Sequence, residues 1–184
     1  LAVFIKQNNL IENTAKLDLE IIKMQGWDRK KMYRKRFNNW IAPSPNIPDI
    51  KTALMYVGTC LLEGTNVSEG RGTDSPFMVF GAPWLDNDKI LKELKKYKFK
   101  GIKFYKYSFI PESIPGKSEN PKYKGEHCNG IKIKIINKVS IEPFKIGLAI
   151  IYEIYKNQPE KFRFKKYYDW FFELPLFIFN YGTD

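Results

Sequence analysis

Eleven residues, Glu63-Gly64-Thr65-Asn66-Val67-Ser68-Glu69-Gly70-Arg71-Gly72-Thr73, crowd together groups that could do chemistry: two carboxylates, one arginine, four hydrogen-bonding side chains and three glycines. No packing argument calls for that mixture, because a core would have to satisfy each polar group at a cost. Two carboxyl groups in one loop suit proton transfer, one protonated and donating, the other ionised. Gly64, Gly70 and Gly72 allow positive φ or close approach of the backbone to a ligand. The bland alternative is a solvated glycine-rich turn.

The flanking elements must position that loop. Asp49 reads as an N-cap for a helix running through Leu62, with Ile50, Ala53, Leu54, Val57 and Leu61 on one face. A strand, Pro76–Phe80, leads out, so the loop sits at the end of a regular element, where scaffolds place binding groups. Before the helix, Trp40 to Pro48 holds three prolines in six residues and forms a stiff crossing. Residues 1–13 read as the tail of a helix, and Leu17–Met24 as a strand entering a half-buried sheet. The basic run Arg29–Arg36 reads as a short solvated helical turn, and as a phosphate or lactate clamp only as an outside alternative.

Beyond the loop, an amphipathic helix is expected from Asp86 to about Tyr97, then a strand over Lys103–Phe109. Residues 111–128 form a long loop of the kind that carries function or stays disordered. Gly130–Ile136 is the cleanest alternating strand, and Pro143 opens a buried helix to about Tyr155. The stretch Tyr167–Tyr181 is dense in aromatics.

The chain has 184 residues, 43% of them apolar, enough for one sizeable core or two small ones. Mean hydropathy is −0.41 and no apolar run is long enough to span a bilayer, so membrane insertion is not expected. A net charge of +11 admits a polyanionic partner, but lysines dominate and spread along the chain, which also fits plain solvation. No arginine cluster or nucleic-acid motif appears, and the two loop glutamates would repel phosphate, so nucleic acid is not the expected partner. Cys60 and Cys128 lack a CxxC partner and His127 stands alone, so no metal site is implied. Free thiols are the default, with a disulfide open if the protein is exported.

Four stretches together resemble one bacterial family: Ala42–Pro48, the loop Leu62–Thr73, Phe80-Gly81-Ala82-Pro83-Trp84, and Pro121-Lys122-Tyr123-Lys124-Gly125-Glu126. Their order and spacing are similar to those of the NamZ-type exo-β-N-acetylmuramidases, formerly a domain of unknown function. Leu62 stands where an aromatic is expected, and Cys128-Asn129-Gly130 only approximates the usual Cys-Gly-Gly. The resemblance implies an α/β fold: residues 1–74 the end of a Rossmann-like domain, residues 75–184 a smaller mixed α+β domain, with an active site in the cleft between them. It implies a piece of a protein about twice as long, lying in the secreted, periplasmic or envelope space. The implied activity is release of terminal N-acetylmuramic acid from peptidoglycan fragments without a cofactor. The alternative is a non-catalytic muramic-sugar or peptidoglycan-binding module; oligomeric state stays open.

Glycosidic cleavage assigns Glu63 and Glu69 as candidate catalytic carboxyls, with the substrate's own 2-acetamido group an alternative nucleophile. Arg71 could grip the lactyl carboxylate of a muramic residue with two parallel hydrogen bonds, or merely brace the loop against Glu63 or Glu69. Asn66, Ser68 and Thr73 are candidate contacts to sugar hydroxyls or the acetamido group, and Tyr123 a stacking platform. Trp84 could stack as well, or sit in the core. Lys122 and Lys124 could attract an anionic glycan, or simply be solvated.

Overall fold

The computed structural model describes residues 1–28 and 40–165. The chain divides into two compact units, Leu1–Arg36 and Phe37–Asp184. Arg29–Arg36 and Tyr167–Tyr181 lie outside the described residues.

In the first unit, α1 spans Ala2–Gln7 and stops at Asn8, whose N–H bonds back into the helix. Asn9 then turns with φ +48°, so the helix expected over residues 1–13 is shorter than its sequence pattern. Leu17–Met24 forms no strand and is exposed throughout. Alternation fits a pleat, but a strand exists only through the neighbour that satisfies its N–H and C=O groups, and no described segment pairs with this one.

In the second unit, the proline-rich crossing closes with an Ile47 N–H to Ser44 O bond of 2.8 Å. Asp49 caps α2 (Ile50–Thr59) as expected: its Oδ1 accepts from Thr52 N–H at 2.7 Å. The helix then tightens into a 3₁₀ turn, Cys60–Gly64, which places Glu63 and Gly64 inside the turn. The buried face of α2 differs from expectation. Thr52, Met55, Gly58 and Thr59 face inward, whereas Val57 is 53% exposed. The cause is a backbone contact with α4 (Pro143–Asn157): a Cβ at Gly58 would sit 1.9 Å from Pro143 O, and one at Gly147 2.2 Å from Gly58 O. Two glycines facing each other rotate the helix towards a close crossing that leucine spacing does not announce.

Three strands, β1 (Val79–Ala82), β2 (Ile102–Phe109) and β3 (Cys128–Ile135), form an antiparallel sheet in the order β1–β3–β2. The strand expected at Pro76–Phe80 starts later because Ser75–Met78 turns: Phe77 has φ +62° and Met78 N–H bonds to Ser75 O at 3.1 Å. Helix α3 (Asn87–Lys96) is capped by Asp86, which accepts from Lys89 N–H at 3.0 Å. Ile102, Phe104, Ile131, Ile133 and Ile135 line one sheet face and join Ile90 and Leu94 of α3 with Ile146, Ile150 and Ile154 of α4 in one core. Each fully buried Leu or Ile contributes about 1.5–3 kcal/mol. The expected α4, opened by Pro143, is present and runs to Asn157.

The fold class is mixed α and β. Every strand pair among the described residues is antiparallel; the described residues of 1–74 contribute helices, turns and the loop, with no strand longer than a single bridge. Cys60 is half-buried and Cys128 buried, and both are free thiols, so the disulfide alternative does not hold. Among the described residues no helix is long and apolar enough to cross a membrane.

Candidate active site

The polar loop is woven into the sheet. Ser68 pairs with Gly81 of β1 through two backbone bonds of 2.8 and 3.1 Å, and Asn66 N–H donates to Arg163 O at 3.0 Å. Gly70 (φ +81°) and Gly72 (φ +79°) make the turns: a Cβ at Gly70 would lie 2.6 Å from Val79 Cγ2, and one at Gly72 2.6 Å from Glu112 O. Gly64 has no positive φ.

Arg71 stands between the two glutamates. Its Nη2 bonds Glu63 Oε1, and its Nε lies 3.5 Å from Glu69 Oε1, too far for a hydrogen bond, leaving that buried N–H unpaired. The guanidinium also stacks 5.3 Å from the Phe77 ring centre. Glu69 is 4% exposed and sits against Lys122, whose Nζ donates to Glu69 Oε2 at 2.9 Å, Leu62 O at 2.8 Å and Val67 O at 2.9 Å. Lys122 is therefore neither solvated nor a peripheral attractor; it is the bolt beneath the loop. Lys124 is exposed.

This frame separates the acidities of the two carboxyls. Burial pushes Glu63 above its ordinary value and the nearby Glu69 charge adds to the rise, against the pull of Arg71. Burial also pushes on Glu69, but the Lys122 charge, its hydrogen bond and Arg71 together outweigh it and hold that carboxyl below its ordinary value. Burial pulls Lys122 downward as well, against the Glu69 charge. Three oxygen acceptors around one ammonium favour the ionised pair. One carboxyl thus keeps its proton to higher pH while its neighbour stays anionic, the arrangement of a proton donor beside a fixed charge.

The remaining candidates are engaged within the fold. Asn66 donates through Nδ2 to Lys161 O at 2.9 Å and accepts through Oδ1 from Arg163 N–H at 2.8 Å. Ser68 Oγ accepts from Gly70 N–H at 3.2 Å, and Thr73 Oγ1 donates to Gly70 O at 2.7 Å. Tyr123, with φ +58°, donates from Oη to Asn66 O at 2.6 Å and accepts from Trp84 Nε1 at 3.0 Å. Trp84 and Tyr123 are partly buried against the core.

Glu63, Glu69 and Arg71 open onto a cavity of about 400 Å³ whose other wall is Lys117–Lys122, with Lys165 at its side. Asn46, 5% exposed, holds that wall by donating to Lys117 O at 2.7 Å, so the proline-rich crossing buttresses the site. Sequence reasoning missed Asn46 as a site support; its signal was its place inside a block shared with the family. Four basic side chains line the cavity against three carboxyls, which favours an anionic guest.

Comparison with known proteins now bears on the site. Residues 54–177 match the family described as exo-beta-N-acetylmuramidase NamZ, C-terminal, and residues 1–51 match its N-terminal counterpart. The chain is 34% identical over 147 residues to the peptidoglycan beta-N-acetylmuramidase NamZ of Bacillus subtilis, a match covering 80% of this chain and 34% of that protein. Two crystal structures of DUF1343 family proteins from Bacteroides fragilis are similar. One has a TM-score of 0.69 at 24% identity, covering 86% of this chain and 39% of the other; its likeness is one of fold. The second has a TM-score of 0.63 at 29% identity, covering 100% and 43%. The chain spans about a third of the length of the curated relative. It belongs to the NamZ exo-β-N-acetylmuramidase family.

Proposed function

We propose that this chain is part of a peptidoglycan-acting glycoside hydrolase that releases terminal N-acetylmuramic acid, and that the sugar enters the cavity between the loop and Lys117–Lys122. The supporting observation is the opposed acidity of Glu63 and Glu69 around one arginine. Glu63 protonates the leaving oxygen. Glu69, ionised beneath it, fixes Arg71 and Lys122 and stabilises positive charge developing at the sugar. Arg71 meets the lactyl carboxylate. Asn66, Ser68 and Thr73 shape the loop that presents these groups, and Tyr123 closes its edge.

The test is Glu63→Gln in the full-length protein, assayed on a chromogenic muramoside. A loss of about 10²–10⁴-fold in kcat with the fold retained is expected. Turnover within a few-fold of wild type would remove Glu63 from the chemistry.

The near-complete burial of Glu69 favours a second reading, a muramic-sugar-binding module whose loop carboxyls are structural. It predicts that Glu63→Gln and wild type bind muramic sugars equally and that neither turns them over.

We further infer a Rossmann-like setting for residues 1–74 and a site in the cleft between the two domains of the whole protein. The N-terminal family pattern supports the first part of this for residues 1–51, while the polar loop lies within the C-terminal match. A full-length structure without a parallel sheet there would sink it. Work on peptidoglycan supports a secreted or envelope location, tested by fractionating cells; an exclusively cytosolic protein would contradict it.

A further inference from the structure

The sheet has a second face, and it is basic. Register places Lys103 directly opposite Lys134 and Tyr105 opposite Lys132 on the side away from α3 and α4. No aspartate or glutamate occurs in the three strands. Lys103 and Lys134 have no carboxylate partner among the described residues, and like charges directly opposite each other weaken an antiparallel pair. Tyr105 and Tyr107 are 44% and 37% exposed on the same face, with Lys132 Nζ 5.0 Å from the Tyr107 ring centre. At the other end the face is closed, where Val79, Phe109 and Cys128 are buried under Tyr123.

A repulsive lysine pair beside two exposed phenols is a surface that gains stability when an anion lies across it. We propose that this open end of the sheet holds an anionic glycan strand, a second contact to the cell-wall polymer apart from the cavity. The choice of a glycan rests on the function proposed above. Two observations favour it over single-stranded nucleic acid. Among the described residues the face carries no arginine to grip phosphate, and an ammonium already sits over Tyr107, where a base would stack. The phenol hydroxyls and lysines instead suit sugar hydroxyls and carboxylates.

The experiment is co-sedimentation of the full chain with insoluble peptidoglycan, with carboxyl-amidated peptidoglycan and a poly-dT oligonucleotide as further arms. Wild type is expected to sediment with the native polymer and less with the amidated one. Lys134→Glu and the pair Tyr105→Ala/Tyr107→Ala should each weaken binding roughly 3- to 10-fold, the range of one or two surface contacts. Lys134→Glu should also raise the melting temperature, because it turns a repulsive pair into an attractive one. Variants that sediment like wild type, or a protein that prefers poly-dT, would overturn the proposal. Turnover of a soluble muramoside does not depend on this face, so Lys134→Glu and the Tyr105→Ala/Tyr107→Ala pair should keep the wild-type rate on it. Failure of the hydrolase reading and failure of this surface are thereby told apart.

Discussion

Lys122 Nζ sits 2.9 Å from Glu69 Oε2, with both side chains nearly shut off from water. The same ammonium also holds two carbonyls of the loop, Leu62 O and Val67 O. Removing it leaves a buried carboxylate without its counter-charge and two carbonyls without a donor. Lys122→Met in the full-length protein is expected to cost about 3–5 kcal/mol in chemical denaturation. The double variant Lys122→Met/Glu69→Leu should recover much of that loss, since no charge is then stranded. A single variant within about 0.5 kcal/mol of wild type would show the pair to be incidental.

The two glutamates should pull stability in opposite directions with pH. Glu69 is held below its ordinary 4.5, so its contribution is present above that value and is lost as pH falls through the lower folded value. Glu63 is raised above 4.5, so the folded state holds its proton more tightly. That contribution is complete below 4.5 and fades as pH rises through the folded value. Denaturation midpoints from pH 2 to 8 should therefore show Glu69→Gln blunting the acid-side loss, and Glu63→Gln flattening the decline above 4.5. Identical pH profiles for both variants and wild type would contradict this separation.

What was legible in the sequence was local. Asp49 and Asp86 cap their helices through bonds three residues long, and the alternation of β2 and β3 reports faces set by neighbours in the strand. What was hidden depends on distant chain. Lys122 looks like any solvated lysine until Glu69, 53 positions away, closes over it. Asn66 looks like a sugar ligand, yet its amide is engaged 95 positions downstream. The inward face of α2 follows from Gly147, a residue whose lack of a side chain leaves no mark in a hydrophobic pattern. Leu17–Met24 shows the converse, a strand pattern with no described partner.

The glycine contact between α2 and α4 makes its own prediction. Gly58→Ala would drive a methyl into the Pro143 carbonyl, so the helices must part and uncover core around Met55 and Ile146. A loss of about 1–3 kcal/mol is expected, the cost of overpacking. Gly116→Ala is the control. Its added methyl meets nothing within 4 Å, so only its φ of +67° resists, at about 1–2 kcal/mol. If Gly58→Ala proved no worse than wild type, the close crossing would not be what rotates α2.

Arg71 is where brace and clamp can be separated. It already serves both glutamates, yet its side chain is 38% exposed on the cavity wall, so one guanidinium can hold the loop and still meet a guest. If it grips the lactyl carboxylate, Arg71→Ala should cost muramic substrates on the order of 1.5–3 kcal/mol, the range for a hydrogen bond to a charged group. Substrates lacking the lactyl ether should lose much less. Arg71→Lys keeps the charge beside Glu63 and Glu69 but not the planar fork, so it should preserve the melt while still weakening muramic substrates. A pure brace predicts another pattern: both substrates fall together, the melting temperature drops, and lysine restores both. The measurement is kcat/KM on a matched pair, with and without the lactyl group, for wild type, Arg71→Lys and Arg71→Ala in the full-length protein. Equal losses on the two substrates would leave Arg71 a brace alone and return the cavity's preference for an anion to Lys117 and Lys165.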